Sequence, residues 1–380
     1  MENFTNTTGA AANWGAAEPE ASHVFRLVLY AVIFSLTVLG NIFVIVLVIK
    51  TRELHSARPK SKGRFTVILP GRDTLYNPVT GYLICNLSIA DLCVGLLCIP
   101  FTLTYAELKY WPFGRVMCKT ILPAQAMAVM ASVATLSAIS FDRFRSIAYP
   151  YEARISVSKV KFIIASVWVM AGVMGLPLVA VLDVRLFPGF GKPICDEYGW
   201  PSPLYRRIYS TATFIVTYAV PLPLMATWYA IVVYKLEQAA HKGDDSEGFR
   251  VAQAKGKVVR MLIVVVAAYF VCFLPYHVSM MWLEFGDVSQ SRFFWILLSY
   301  SHVLVYANSC INPILYCIFS EQFRRGFIKL CRCGYRSVQT FRRWSVTRNS
   351  RRKMRAVGSP VSELTQDTIL SQHPVASFWI

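Results

Sequence analysis

The chain has 380 residues, 55% of them hydrophobic and only 16% charged, with a formal net charge of +18 and a mean hydropathy of +0.44. Its apolar residues gather into long runs, which excludes a disordered chain and does not suit an ordinary soluble domain. The basic excess, which in a soluble protein would suggest nucleic acid, has to be read from where it falls along a membrane chain.

Residues 1–26 precede the first apolar run and are expected to be extracellular. Their first 23 residues lack the basic and apolar regions of a cleavable signal peptide, so span one is expected to act as a signal anchor. Asn3 and Asn6 head N-x-[ST] sequons and are expected glycosylation sites; a third sequon, at Asn86, falls inside an apolar run and should be unused.

Seven runs long enough to cross a bilayer as helices follow, at about Leu27–Ile49, Tyr82–Tyr105, Thr120–Phe141, Phe162–Leu182, Ile208–Tyr234, Met261–Leu283 and Phe293–Phe319. The expected fold is therefore an all-α membrane protein, a seven-transmembrane helix bundle over 27–319. The segments 50–81, 142–161, 235–260 and 320–380 carry 30 of the 39 Lys and Arg and a net charge of about +19. Because a basic excess stays cytoplasmic, the amino terminus is expected outside and the basic tail inside, in a multi-pass plasma-membrane protein with no nucleic-acid partner.

The first cytoplasmic loop, 51–81, is basic with a β-like patch, Phe65-Thr66-Val67-Ile68-Leu69. Either it contacts anionic lipid or a partner, or it reflects a splice variant or an over-extended gene model. Of ten cysteines only Cys118 and Cys195 fall in segments assigned to the oxidising side, which pairs them in a disulfide.

Asp91 is a carboxylate inside span two, where insertion scales place a penalty of about 3 kcal/mol. Asn41, Ser132, Asn308, Ser309 and Asn312 lie near its depth if the helices are laid side by side. Two readings stay open: a hydrated pocket for a small cation, most simply sodium, or a protonated Asp91 in a structural hydrogen-bond net. Prolines inside spans, among them Pro221, Pro275 and Pro313, bend helices and provide points about which half a helix can swing. Asp142-Arg143-Phe144 ends span three with a charge pair that one state can hold and another release.

After span seven, 320–331 reads as a short amphipathic surface helix, apolar at Phe323, Phe327, Ile328 and Leu330 and basic at Arg324, Arg325 and Lys329. Cys331 and Cys333 stand where palmitoyl chains would anchor it. Residues 332–380 are expected to be a disordered cytoplasmic tail. Its serines and threonines, such as Ser345, Ser350 and Thr365, are candidate phosphorylation sites.

In order along the chain stand Gly40-Asn41, Leu87-Ser88-Ile89-Ala90-Asp91-Leu92, Asp142-Arg143-Phe144 with Pro150, Trp168, Pro221 with Tyr229, Cys272-Phe273-Leu274-Pro275-Tyr276 and Asn312-Pro313-Ile314-Leu315-Tyr316. With these the chain resembles the rhodopsin-like G-protein-coupled receptors. Trp111-Pro112-Phe113-Gly114 before Cys118, Cys195-Asp196-Glu197 near Trp200-Pro201, and Phe323-Arg324-Arg325-Gly326-Phe327 are similar to the neuropeptide FF, RFamide and neuropeptide Y receptor group.

The resemblance implies a receptor for an extracellular, C-terminally amidated RFamide-type peptide, with neuropeptide Y-like or tachykinin-like ligands as the alternative. The implied partners are a heterotrimeric G protein, arrestin and receptor kinases. Gln125 stands where amine receptors carry an acid. With Thr102 and His302 it would hold a terminal amide, with His277 beside the last side chain; Glu284 and Asp196 or Glu197 would face a peptide arginine. Asp142, Arg143, Tyr229, Phe273, Pro275, Pro313 and Tyr316 are the implied activation switch.

Three departures stand out. Phe273 replaces the family's usual Trp, no acid faces Arg143 from the inner end of span six, and the first loop is long. The first two imply an altered switch and raised ligand-free activity. An ion-coupled transporter or channel is the remote alternative, opposed by the single intramembrane acid. An enzyme is not expected, since no catalytic triad or metal-ligand spacing occurs.

Overall fold

The computed structural model describes residues 20–56, 78–186, 191–242, 246–286, 292–321 and 323–328. The chain divides into a unit through Phe327, which holds the bundle, and Ile328–Ile380, of which only Ile328 is described. Among the described residues, seven helices are long and apolar enough to cross a membrane: His23–Lys50, Pro78–Leu108, Gly114–Ala148, Val157–Val181, Pro203–Gln238, Val259–Phe285 and Phe293–Phe319. These are spans one to seven. All but span seven extend past the hydropathy-based limits at one or both ends, because a helix continues as long as its backbone bonds are satisfied, while hydropathy marks only the part that meets lipid.

Capping and prolines shape the ends and bends. Ser156 starts span four by accepting from the Lys159 backbone N–H at 3.3 Å. Span two contains a π-helical turn, Val94–Cys98, just before Pro100, and span five one at Ile215–Ala219, just before Pro221. Each turn takes up the displaced register near a proline that has no N–H to give the preceding turn.

The all-α expectation omitted one small element. Between spans four and five, β1 (Leu182–Leu186) pairs antiparallel with β2 (Pro193–Glu197), Val184 opposite Cys195. The Cys118–Cys195 disulfide fastens this hairpin to the start of span three. Trp111 locks the same region: its backbone N–H donates to Pro193 O at 2.8 Å and its indole N–H to Gly114 O at 2.9 Å, while Phe113 packs edge-on against its ring. Two five-residue strands carry no hydropathy signature of their own, and so the hairpin was not legible in advance.

The helical residues 323–328 follow span seven. Phe323 is buried and stacks on Tyr316 at 5.2 Å, while Arg324, Arg325, Phe327 and Ile328 are exposed. Leu330, Cys331 and Cys333, the tail, Asn3, Asn6 and residues 57–77 of the first loop lie outside the described residues.

Candidate functional site

Prolines leave carbonyls without intrahelical donors, and the bundle supplies donors from neighbouring spans. Pro313 cannot donate to Ser309 O; Asn41 Nδ2 of span one does so at 3.1 Å. That approach needs the glycine before it, because a Cβ on Gly40 would stand 2.9 Å from Pro313 Cβ. Pro221 likewise cannot donate to Thr217 O, which accepts from the Tyr269 hydroxyl of span six.

Around Asp91, which is fully buried, Ser132 and Ser309 donate to Oδ1 at 2.9 Å each and Asn312 Nδ2 donates to Oδ2 at 2.9 Å. Asn41 joins through the Ser309 carbonyl and does not touch the carboxylate. Asn308 is equally buried but makes no bond to Asp91. The buried Asn41 Oδ1 and Asn312 Oδ1 lack hydrogen-bond donors. The Asp91 carboxylate with the Ser132 and Ser309 hydroxyls and the unpartnered amide oxygen of Asn312 are hard oxygen donors of the kind that would suit sodium.

At the disulfide end, the residues assigned to an amide-binding floor are tied to the protein itself. Gln125 Nε2 donates to Leu97 O at 2.8 Å, inside the π-turn of span two, so its own carbonyl oxygen is left as the free acceptor. The Thr102 and Tyr306 hydroxyls share a 2.8 Å bond, and His302 Nδ1 contacts Leu298 O at 2.8 Å, fixing its ring. Tyr276 bridges the two histidines, 5.4 Å from each ring. His277 is buried against Phe214, Tyr218 and Phe273, which makes it part of an aromatic wall between spans five and six.

The acids behave differently from one another. Glu284 is 8% exposed and accepts from Arg206 Nε and from Ser210 Oγ, both at 3.1 Å. Glu197 Oε2 accepts from the Trp200 indole at 2.6 Å, and Asp196 Oδ1 accepts from the Glu197 backbone N–H at 2.7 Å. Desolvation raises both loop carboxyls above the usual range, while the Trp200 bond and that backbone bond, respectively, oppose the rise. Arg206 and Ser210 were missed from sequence; the Arg206-Arg207 pair flanking span five is their only linear sign. Arg26, buried and paired with Glu107 at 2.9 Å, was missed likewise, with His23 on the same carboxylate.

The opposite end is closed. Arg143 Nη2 lies 3.1 Å from Asp142 Oδ2, yet no N–H is aligned for a hydrogen bond and that nitrogen has no hydrogen-bond acceptor. Thr80 donates to the same Oδ2 at 3.3 Å, and Tyr229 donates to Ser140 Oγ at 2.8 Å. Arg143, Tyr229, Tyr316 and Phe323 surround a cavity of only about 40 Å³. On span six at this end Arg260 is exposed, and the side chains of Lys255 and Lys257 lie outside the described residues. Phe273 packs 4.8 Å from Tyr269, so the layer where the family carries Trp is anchored to span five through the Tyr269–Thr217 bond.

Comparison with known proteins agrees with the seven-helix fold. The family model "7 transmembrane receptor (rhodopsin family)" matches residues 66–316, from within the first loop to the end of span seven. The RYamide receptor of Tribolium castaneum is 31% identical over 314 residues, covering 80% of this chain and 79% of that protein. Human neuropeptide FF receptor 1 is 32% identical over 79% of this chain and 68% of its own length. Neuropeptide Y receptor type 2 of Sus scrofa is 28% identical over 91% and 86%.

Proposed function

Since the chain belongs to the rhodopsin family of seven-transmembrane receptors, we propose that it is a receptor for an extracellular peptide ending in an arginine–aromatic–amide, acting through a heterotrimeric G protein. The observation that carries the ligand class is the buried Glu284, whose carboxylate already accepts from a guanidinium, that of Arg206. A site built to hold one guanidinium suits another, because charge-assisted bonds strengthen as water is excluded. The RYamide receptor relative supports the amide end of the ligand, and the neuropeptide FF receptor relative supports a peptide. In this reading the Gln125 carbonyl accepts from the terminal amide, which a free acid cannot offer.

The disulfide end faces outward and the basic loops face the cytoplasm. Binding opens the closed inner end, releasing Arg143 from Asp142 toward the G protein. Sodium, when bound, would be held by Asp91, Ser132 and Ser309 and would favour the closed state. Arrestin and receptor kinases would act on the tail, and palmitate on Cys331 and Cys333 would hold the helix after span seven to the membrane.

The test is G-protein activation in cells against amidated peptides and their free-acid forms. A response that needs both the amide and the arginine supports this ligand. If a surface-expressed chain ignores every arginine–aromatic–amide but answers a neuropeptide Y-like or tachykinin-like peptide, the ligand class falls and the receptor reading stands.

A further inference from the structure

A groove of about 730 Å³ opens on the outside of the bundle between spans five and six. It exists because the facing positions are small: Ala226 and Ala230 on span five and Ala267 on span six leave space that larger side chains would close. All three positions lie within membrane spans, so the space is offered to lipid and not to water.

Its dimensions match one leaflet. On span five the lining runs from Leu222 to Glu237, which at about 1.5 Å per residue is about 22 Å. Half of a bilayer including its headgroups is about 20–22 Å. With Leu222 near the midplane, Glu237 reaches headgroup depth on the side away from the disulfide.

One wall ends in an acid, and the helix of the other carries a base just beyond the lining. Glu237 lines the groove and is exposed. Arg260, also exposed, lies three residues before Ile263, which lines the opposite wall, and so shares its helix face. Neither forms an ion pair among the described residues. A carboxylate and a guanidinium held apart on two walls suit a zwitterion, whose ammonium meets one and whose phosphate meets the other.

We propose that this groove binds one phosphatidylethanolamine molecule, with an acyl chain over the three alanines, the ammonium at Glu237 and the phosphate at Arg260. An ethanolamine ammonium has N–H donors for the carboxylate, which a choline headgroup lacks. Tyr229 forms part of the wall while its hydroxyl bonds Ser140 of span three, so the lipid touches the ring that ties span five to the closed inner end. The site needs no peptide ligand, and it stands or falls separately from the ligand proposed above.

The test is photolabelling of the full chain in bilayers containing phosphatidylethanolamine with a diazirine on its acyl chain, followed by peptide mapping. Labels are expected to concentrate within 222–237 and 263–270. Unlabelled phosphatidylethanolamine should compete several-fold better than phosphatidylcholine. Ala230→Trp should reduce labelling several-fold by filling the groove, with Ala267→Leu as a milder variant should the first fold poorly. The double variant Glu237→Gln with Arg260→Gln should erase the headgroup preference. The proposal is overturned if labels spread evenly to other lipid-facing positions such as Val169 and Val173 of span four, if the filled groove labels as before, or if the two lipids compete equally.

Discussion

Arg206 donates from Nε to Glu284 at 3.1 Å, so the acid expected to meet a ligand's arginine is held by the chain's own guanidinium. If a peptide arginine takes Glu284, Arg206 is the competitor that it displaces. Glu284→Gln should reduce the potency of an arginine-bearing amide about tenfold or more, since a charged hydrogen bond contributes about 1.5–3 kcal/mol and 1.4 kcal/mol is tenfold. Arg206→Ala should raise potency several-fold. Concentration–response curves decide this: a loss with Arg206→Ala equal to that with Glu284→Gln would make Arg206 part of the binding surface instead.

The junction of spans one and seven should be sensitive to small changes. Gly40→Val drives a side chain against Pro313, and Asn41→Leu leaves the buried Ser309 carbonyl without its cross-span donor. Each change should destabilise the solubilised protein by about 1–3 kcal/mol. Gly172→Ala is the control, because the nearest atom to its added Cβ is the flexible Met127 Cε at 3.9 Å. Thermal denaturation curves in which all three variants melt alike would contradict the assignment.

Ligand-free signalling should depend on Asp142. Arg143 faces Asp142 without an aligned hydrogen bond and has no other described carboxylate within ion-pair distance. Removing that one restraint in Asp142→Ala should increase basal G-protein activity several-fold, whereas low and unchanged basal activity would show that the closed state is held elsewhere.

Acidification should weaken the response to a cationic peptide. Desolvation raises the Asp196 and Glu197 carboxyls, so they take up protons at a pH higher than an ordinary carboxyl of about 4. The attraction they exert is complete above their raised pKa values and is lost as pH falls through them, a window above the ordinary carboxylate range. Potency measured across that range should decline for the native chain and decline less for Glu197→Gln. A flat profile for the native chain would exclude both acids from ligand contact.

Sodium should reduce agonist affinity if it favours the closed state. Replacing sodium with choline in binding assays should raise affinity for the native chain and leave Asp91→Asn unaffected. Equal sodium sensitivity in both would place the ion elsewhere.

Much of this protein was legible residue by residue. Seven spans follow from hydropathy because insertion into a bilayer is close to a sum over consecutive residues. The Cys118–Cys195 pairing follows from assigning compartments, and the depth of Asp91 relative to Ser132, Ser309 and Asn312 follows from helical rise. None of these needs to know which way a helix is turned about its axis.

What the tertiary structure decided depends on rotation, tilt and local register. Asn308 and Ser309 are adjacent in sequence and equally buried, yet only Ser309 bonds Asp91, because neighbouring residues on a helix point about 100° apart. His277 turns into an aromatic wall, and Glu284 meets Arg206 across 78 positions of sequence. The partners taken by the carbonyls that Pro221 and Pro313 free, Tyr269 and Asn41, likewise come from other spans. A span's composition establishes that it is buried in the membrane; which side chain faces which is set only when all seven helices pack against one another.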